Sequence, residues 1–304
     1  SFLELTQEEL KTSFRTSVQV FSGIIEMRFA NWTGHSLRVV TLAERLARRA
    51  GLKAEEVEAV MNAAMLHDIG KVALPDTLLS KAFASHNRQE RAEYMEHPAL
   101  GQMVLLPIQE LNLAGVYIRG LHENVDGSGF PDHLKRNEIP IGARILAIVV
   151  DYDELQMGLL LPREVTEEHA LLYIKENKGL RYDPELVQLF TQSLEAEQHR
   201  YKEVAQKLTD RFGFKKVAIT LRTSISANDN NWSAMLYDGK DYYFSKKYAM
   251  HIVDRVGGGD SFGGGLIYAC LSDMDAQSII EFAVAASCLK HSIEGDMNMV
   301  SVDE

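Results

Sequence analysis

Four histidines and an aspartate carry the chemistry this sequence offers most plainly. His67 and Asp68 are neighbours in AAMLHDIGK, at the end of an apolar stretch with helical spacing, so an imidazole and a carboxylate lie side by side in a buried setting. Two divalent metals sharing a bridging aspartate use that pairing, with further imidazoles arriving from neighbouring helices. His35, His97 and His122 each fall on a different expected helix or helix end. A lone histidine is more often a surface or satisfied core residue than a ligand. Four of them around an HD pair, spaced one per helix, point to a metal site.

A second, independent feature is DRVGGGDSFGGGLIYA, residues 254–269. Glycines ahead of a helix leave backbone N–H groups free to cradle an anion, and the helix N-terminus adds its dipole. Asp260 at the helix start is placed to take a proton from a hydroxyl nucleophile. A Gly-rich loop by itself is equally the mark of a turn.

The elements that must position these groups follow from periodicity. Thr6-Gln7-Glu8-Glu9 opens a first helix with a capping residue followed by acids. Helical spacing then runs from Val18 to Ala50 and from Glu56 to Leu66, with Gly51 between. Pro75-Asp76 is a turn-to-helix step. Glu90–Leu106, Ile108–Leu121, Ile141–Leu161 and Pro184–Lys207 also read as helices, and DGSGFP at 126–131 reads as loop. Almost no alternating pattern appears before residue 210. After it, Lys216–Leu221 (KVAITL) reads as a strand, and Ser233–Tyr237 with Asp241–Phe244 as a hairpin around Asp238-Gly239. A glycine loop at 257–265 and helices at 261–271 and 275–290 complete the chain. The expected fold is therefore mainly α, a helical bundle over residues 1–198, followed by a smaller α/β segment over 199–304.

Composition bounds the function. A chain of 304 residues with 46% apolar content suits two globular domains. The net charge is −11, with 21 basic against 29 acidic residues up to position 200 and 11 against 14 beyond it. Neither part offers the basic face that a nucleic-acid backbone requires, so DNA and RNA are not expected partners. Small anions remain, if a metal or local cations attract them. Cys270 and Cys288, 18 residues apart without metal-type spacing, are expected to be buried free thiols. No apolar run reaches the roughly 18 residues that span a bilayer, and the polar start SFLELTQEELKTSF is no signal peptide. A cytoplasmic location without membrane partners is expected, and a start on Ser1 suggests a piece of a longer protein.

HDIGK at 67–71, HPALG at 97–101, HENVDGSGFP at 122–131 and ARILAIVVDYDEL at 143–155 together resemble the HD-GYP branch of the HD phosphohydrolase superfamily, collinearly over about residues 18–195. The resemblance implies an HD-type helical bundle and a cyclic di-GMP phosphodiesterase of bacterial signalling, usually the output domain of a response regulator. By position, His35, His67, Asp68, His97 and His122 match the family's metal ligands, for two ions such as iron or manganese. Asp68 and Lys71 take catalytic roles, Lys71 as the lysine near the phosphate, and Arg119 and Arg144 are candidate phosphate contacts. Signalling proteins are partners that the Gly129-Phe130-Pro131 loop would meet. Three departures stand out. Leu121 replaces one histidine of the family's pair, Phe130 replaces the GYP tyrosine, and Val150 falls where the family has its ligand aspartate. Asp151, one residue and about 100° of helix further on, is the expected substitute. Asn31, one turn before His35, lacks the carboxylate for a third metal. A metal-bound but silent signalling module is the alternative reading.

The string DRVGGGDSFGGGLIYA, with KVAITLRTSISANDNNWSAMLYDG and SCLKHSIEGDMN, resembles the ribokinase-like (pfkB) 2-keto-3-deoxygluconate kinases. By that resemblance Asp260 is the catalytic base, Gly257, Gly258 and Gly259 form the anion hole, Asp254 opens the motif, and residues 216–225 border ATP and its Mg²⁺. Only about residues 200–304 match. The half that supplies the sugar pocket has no counterpart upstream, so sugar phosphorylation is the third reading.

Overall fold

The computed structural model describes residues 2–28, 34–224, 229–254 and 256–293. The chain forms two compact units, residues 1–193 and 194–304.

In the first unit the helices are α1 (Phe2–Met27), α2 (His35–Arg49), α3 (Ala54–Leu66), α4 (Asp76–Leu79), α5 (Arg88–Tyr94), α6 (His97–Leu105), α7 (Asn112–Arg119), α8 (Ile141–Gln156), α9 (Glu167–Glu176) and the first part of α10 (Pro184–Phe212). Helix α8 is the centre. From Gly142 to Leu155 all residues except Arg144 are buried, as the sequence ILAIVV, apolar on every side, demands of a helix wrapped by others. Helices α2, α3, α7 and α9 pack around it. The expected helix at 18–50 is two elements: α2 starts only after Gly34, whose φ of 73° is left-handed. Asn31, between them, lies outside the described residues. The expected helix at 141–161 stops at Gln156, because Gly158 adopts φ 69°.

After α3 the chain tightens at His67-Asp68 into a 3₁₀ turn, Ile69–Ala73. Gly70 lets that turn lie against α6: a Cβ there would stand 1.9 Å from the carbonyl oxygen of His97. The absence of one methyl group therefore sets how near the HD pair comes to the start of α6.

In the second unit, β1 (Val217–Ser224), β2 (Asp229–Tyr237), β3 (Tyr242–Phe244) and β4 (Tyr248–His251) form an antiparallel sheet in which β2 pairs with the other three. Trp232, Ala234 and Leu236 face α11 (Gly258–Leu271) and α12 (Ala276–His291). Met235 and Tyr237 pack with Val217 against Ala205 of α10. With both faces covered, β2 reads as the unbroken run WSAMLY. The hairpin at Asp238-Gly239 forms with Tyr237 opposite Tyr242, whereas β4 had no sequence counterpart. Helix α11 begins at Gly258, three residues before the expected start at 261, and runs through the glycines also read as loop: a Cβ at Gly265 would stand 3.0 Å from that of Ala286, so the glycine lets α11 press closely on α12. Cys270 and Cys288 are free and half-buried rather than buried. No helix among the described residues is long and apolar enough to cross a membrane.

Candidate metal centre

Each histidine reaches the centre from the end of an element. His35 is the first residue of α2, His67 follows the last residue of α3, His97 opens α6 ahead of Pro98, and His122 lies in the turn after α7. All four are buried. His35 Nδ1 donates to Asp153 Oδ2 at 2.7 Å, and His67 Nδ1 donates to the Ala64 carbonyl at 2.9 Å. With both Nδ1 protons committed, the two rings turn their Nε2 atoms on one another at 3.0 Å. Asp68 Oδ2 stands 3.2 Å from His67 Nε2 and 3.8 Å from His35 Nε2.

Two lone pairs and a carboxylate oxygen converging in a dry interior repel unless something positive lies among them. Burial opposes charge on His35, yet the hydrogen bond to Asp153 and the charges of Asp153, Asp68 and Glu154 outweigh it and raise its pKa above the usual range. A second proton on His35 would sit at Nε2, aimed at His67. Burial holds His67 down at about 4. Burial would also raise Asp68, but His67, Lys71 and His35 keep its carboxyl well below the ordinary value. Imidazoles whose far nitrogens are fixed by a carboxylate or a carbonyl are the form in which proteins present histidine to metals. His35, His67 and Asp68 form the cation-sized group of side chains found among the described residues. The donor set therefore fits a divalent metal.

Lys71 is buried to 1% exposure, with its Nζ 2.8 Å from Asp68 Oδ1 and 3.2 Å from Glu154 Oε1. These carboxylates overcome the burial and hold the ammonium charged well past its ordinary range. His97 and His122 form a separate pair. His97 Nδ1 donates to the Tyr94 carbonyl at 2.6 Å, and the two Nε2 atoms are 3.1 Å apart. Burial, then Lys71, lowers His97 to about 3; burial, then His97 and Arg181, takes His122 well below its usual value. Phe130 stacks on His122, rings 4.9 Å apart and 12° from parallel, so the ring expected to meet a signalling protein lies against a histidine. Glu123 orders that loop, accepting from the amides of Asp132 and Leu134.

Other expected site residues are placed elsewhere. Asp151 is not turned to the imidazoles: its carboxylate is gripped by Arg181 Nε and Nη2 and by the Tyr182 hydroxyl at 2.6 Å. Asp153, two residues on, is the one that reaches His35, and it also takes both arms of Arg38 at 2.7 and 2.8 Å. Arg119 is committed to Asp132 through two contacts of 2.6 Å, and Arg144 to Asp183 at 2.5 Å. Leu121 and Val150 are buried at 1% and 0% exposure. Asp153, Glu154 and Arg38 were missed from sequence. The cluster DYDE carried three acids with no amphipathic contrast to tell their faces apart. In the second unit Gly257 caps α11 with φ 77°, Gly258 is buried against His291, and Gly259 and Asp260 are exposed. Asp254 Oδ1 accepts from the amide of Val256. The segment expected beside ATP is β1, with residue 225 outside the described residues.

The helical bundle with its histidine and aspartate core is that of an HD protein, and the family model of the HD domain matches residues 19–186. The chain belongs to that family, and the family implies a divalent metal. The model of the pfkB family carbohydrate kinases matches residues 183–302. The chain is 32% identical over 183 residues to a 3'3'-cGAMP-specific phosphodiesterase of Vibrio cholerae, covering 60% of this chain and 35% of that protein. It is 30% identical over 184 residues to a cyclic di-GMP phosphodiesterase response regulator of Xanthomonas campestris, covering 60% and 48%. A crystal structure of 2-dehydro-3-deoxygluconokinase from Thermotoga maritima is 51% identical over 34% of this chain and 31% of its own, with a TM-score of 0.33. The chain thus spans about a third to a half of the curated relatives it matches.

Proposed function

We propose that residues 1–193 carry a metal-dependent phosphodiesterase acting on a cyclic dinucleotide. The observation that carries this reading is the convergence of His35 Nε2, His67 Nε2 and Asp68 Oδ2 beside the buried, charged Lys71. Membership of the HD family and relatives named for cyclic di-GMP and cGAMP support the substrate class.

His35, His67 and Asp68 would hold the metal, with iron and manganese the ions to try first, since imidazole and carboxylate suit both. When bound, such an ion polarises a phosphoryl oxygen and lowers the pKa of its water. The remaining work falls to the chain. Asp153 and the Ala64 carbonyl hold the two Nδ1 protons, so neither ring can rotate its donor atom away. Lys71, held by Asp68 and Glu154, supplies a fixed positive charge toward the non-bridging oxygens, in an interior where it is worth more than in water. Arg119 and Arg144 take no phosphate in this reading, because Asp132 and Asp183 already hold them. The reading does not extend to sugar phosphorylation or ATP: the pfkB match begins only at residue 183, and the residues before it match the HD family.

The test is hydrolysis of cyclic di-GMP and 3'3'-cGAMP by the full chain loaded with Mn²⁺ or Fe²⁺, read by chromatography of the linear products. Turnover lost in Asp68→Ala supports the enzyme. The buried Leu121 and the captured Asp151 favour one other reading, a metal-bound module without catalysis. Stoichiometric metal with no product from either dinucleotide would establish it in place of the enzyme.

A further inference from the structure

His35 and the HD pair arrive on different elements, so the distance between them has to be set by something that reaches both. His35 is the first residue of α2, whereas Asp68 and Lys71 belong to the turn that follows α3. The residue before His35 is Gly34, with φ 73° and no side chain, so α2 begins without a cap of its own. The amides of a first turn have no partner inside their helix and need one from outside. Glu26, in the last turn of α1, provides it. Its Oε1 accepts from the amide of Ser36 at 2.8 Å and its Oε2 from that of Gly34 at 2.9 Å. The two bonds straddle His35, and a carboxylate at a helix start also complements the helix dipole.

Two residues on, Arg28 holds the other side. Its guanidinium donates to the carbonyls of Val72 and Leu74, the latter at 2.6 Å, and pairs with Asp76 at 3.1 Å. Val72 lies in the 3₁₀ turn Ile69–Ala73, and Leu74 ends it. That turn starts from Asp68, whose carbonyl accepts from the amide of Lys71, so a grip on its exit constrains both residues. Helix α1 is itself seated by Val18, Ser22 and Ile25, all buried. One short piece of backbone therefore clamps the start of α2 and the exit of the HD turn. These are the segments that place His35 Nε2 3.0 Å from His67 Nε2 and 3.8 Å from Asp68 Oδ2.

We infer that Glu26 and Arg28 are positioning residues of the metal centre: Glu26 acts through the first turn of α2 to hold His35, and Arg28 acts through the 3₁₀ turn to hold Asp68 and Lys71. The inference rests on the metal-dependent reading of the site. It makes α1, rather than the packing of α2 on α3 alone, the element that assembles the ligand set.

The experiment is a competition titration of the full-length chain, Mn²⁺ against a chromogenic chelator, with the thermal midpoint of each metal-free variant followed by circular dichroism. Glu26→Ala and Arg28→Ala should each weaken Mn²⁺ binding about 10-fold, the lower end of what losing an outer partner of a metal site costs. Arg15→Ala, which breaks an exposed contact of α1 with Glu58 on α3, should leave the affinity unchanged. A double-mutant cycle checks the route. Glu26→Ala and Asp153→Ala both act on His35, so their combined loss should fall short of the product of the two single losses. Wild-type affinity in Glu26→Ala and Arg28→Ala overturns the inference, even with a lowered thermal midpoint, since the two residues would then only hold the fold. An equal loss in Arg15→Ala overturns it too, as does a fully multiplicative cycle. If the alanine variants fail to fold, Glu26→Asp, too short to span both amides, and Arg28→Lys, without the planar fork, decide by the same titration: weakened binding supports the inference, and wild-type affinity in both overturns it. Hydrolysis is read separately. Affinity governed by Glu26 and Arg28 in a chain without turnover removes the phosphodiesterase reading alone, and turnover with affinity indifferent to both removes this inference alone.

Discussion

Asp153, in the last turn of α8, fixes the geometry of a histidine 118 positions away. Its Oδ2 accepts from His35 Nδ1 at 2.7 Å while Arg38 grips both oxygens, and together these groups hold its carboxyl at about 2 despite burial. Partners of this kind set ring orientation and basicity, and losing one typically lowers metal affinity about 10–100-fold. Asp153→Ala should therefore weaken Mn²⁺ binding by about that factor in a competition titration with a chromogenic chelator; unchanged affinity would mean that His35 is held by other contacts. Arg181 predicts the opposite pattern. Asp151 is fully buried, and removing its guanidinium partner leaves an uncompensated charge, a loss that costs about 3–5 kcal/mol in buried pairs. Arg181→Ala should lower the urea midpoint of the first unit accordingly and leave its metal content unchanged. Loss of metal at intact fold would make Asp151 part of the centre after all.

At the scale of elements, legibility followed locality. The HD pair, HPALG and the GFP loop are contiguous strings, so their chemistry could be read before any packing was known. Which acid of DYDE meets His35 could not, because Tyr152, Asp151, Asp153 and Glu154 are all buried. A helix enclosed on every side shows no periodic contrast from which to choose a face, and the substitute expected at Asp151 lies two residues and about 200° of helix from Asp153, the acid that meets His35. The glycine string misled for a related reason. Its glycines at 257–265 read as loop although a helix was also expected from 261, and α11 is continuous from Gly258 because one face needs the space and the other does not. A Cβ at Gly263 or Gly264 meets nothing within 4 Å, while one at Gly265 meets Ala286 at 3.0 Å. Replacing a helical glycine by alanine gains about 0.5–1 kcal/mol where there is room. Gly263→Ala and Gly264→Ala should each raise the melting temperature of the second unit, and Gly265→Ala should not. Equal gains at all three positions would show that the α11–α12 approach tolerates another methyl.

At the scale of the whole chain, two families meet inside one helix. The HD match ends at residue 186, the pfkB match begins at 183, and the two compact units divide between Ser193 and Leu194, within α10. Each unit has its own core: α8 is wrapped by helices in the first, and β2 is covered on both faces in the second. A ligand that binds one folded unit stabilises that unit by mass action, about 2.7 kcal/mol at one hundred times its Kd. Scanning calorimetry of the full chain should therefore show two transitions, of which Mn²⁺ raises one and Gly263→Ala raises the other. In His67→Ala the metal-dependent shift should vanish while the second transition stays in place. If both perturbations moved the same transition, the units would be melting as one body, and the metal's stabilisation would reach β2 and α11 through α10. Two separate shifts would instead confine the metal's effect to the unit that holds His35, His67 and Asp68.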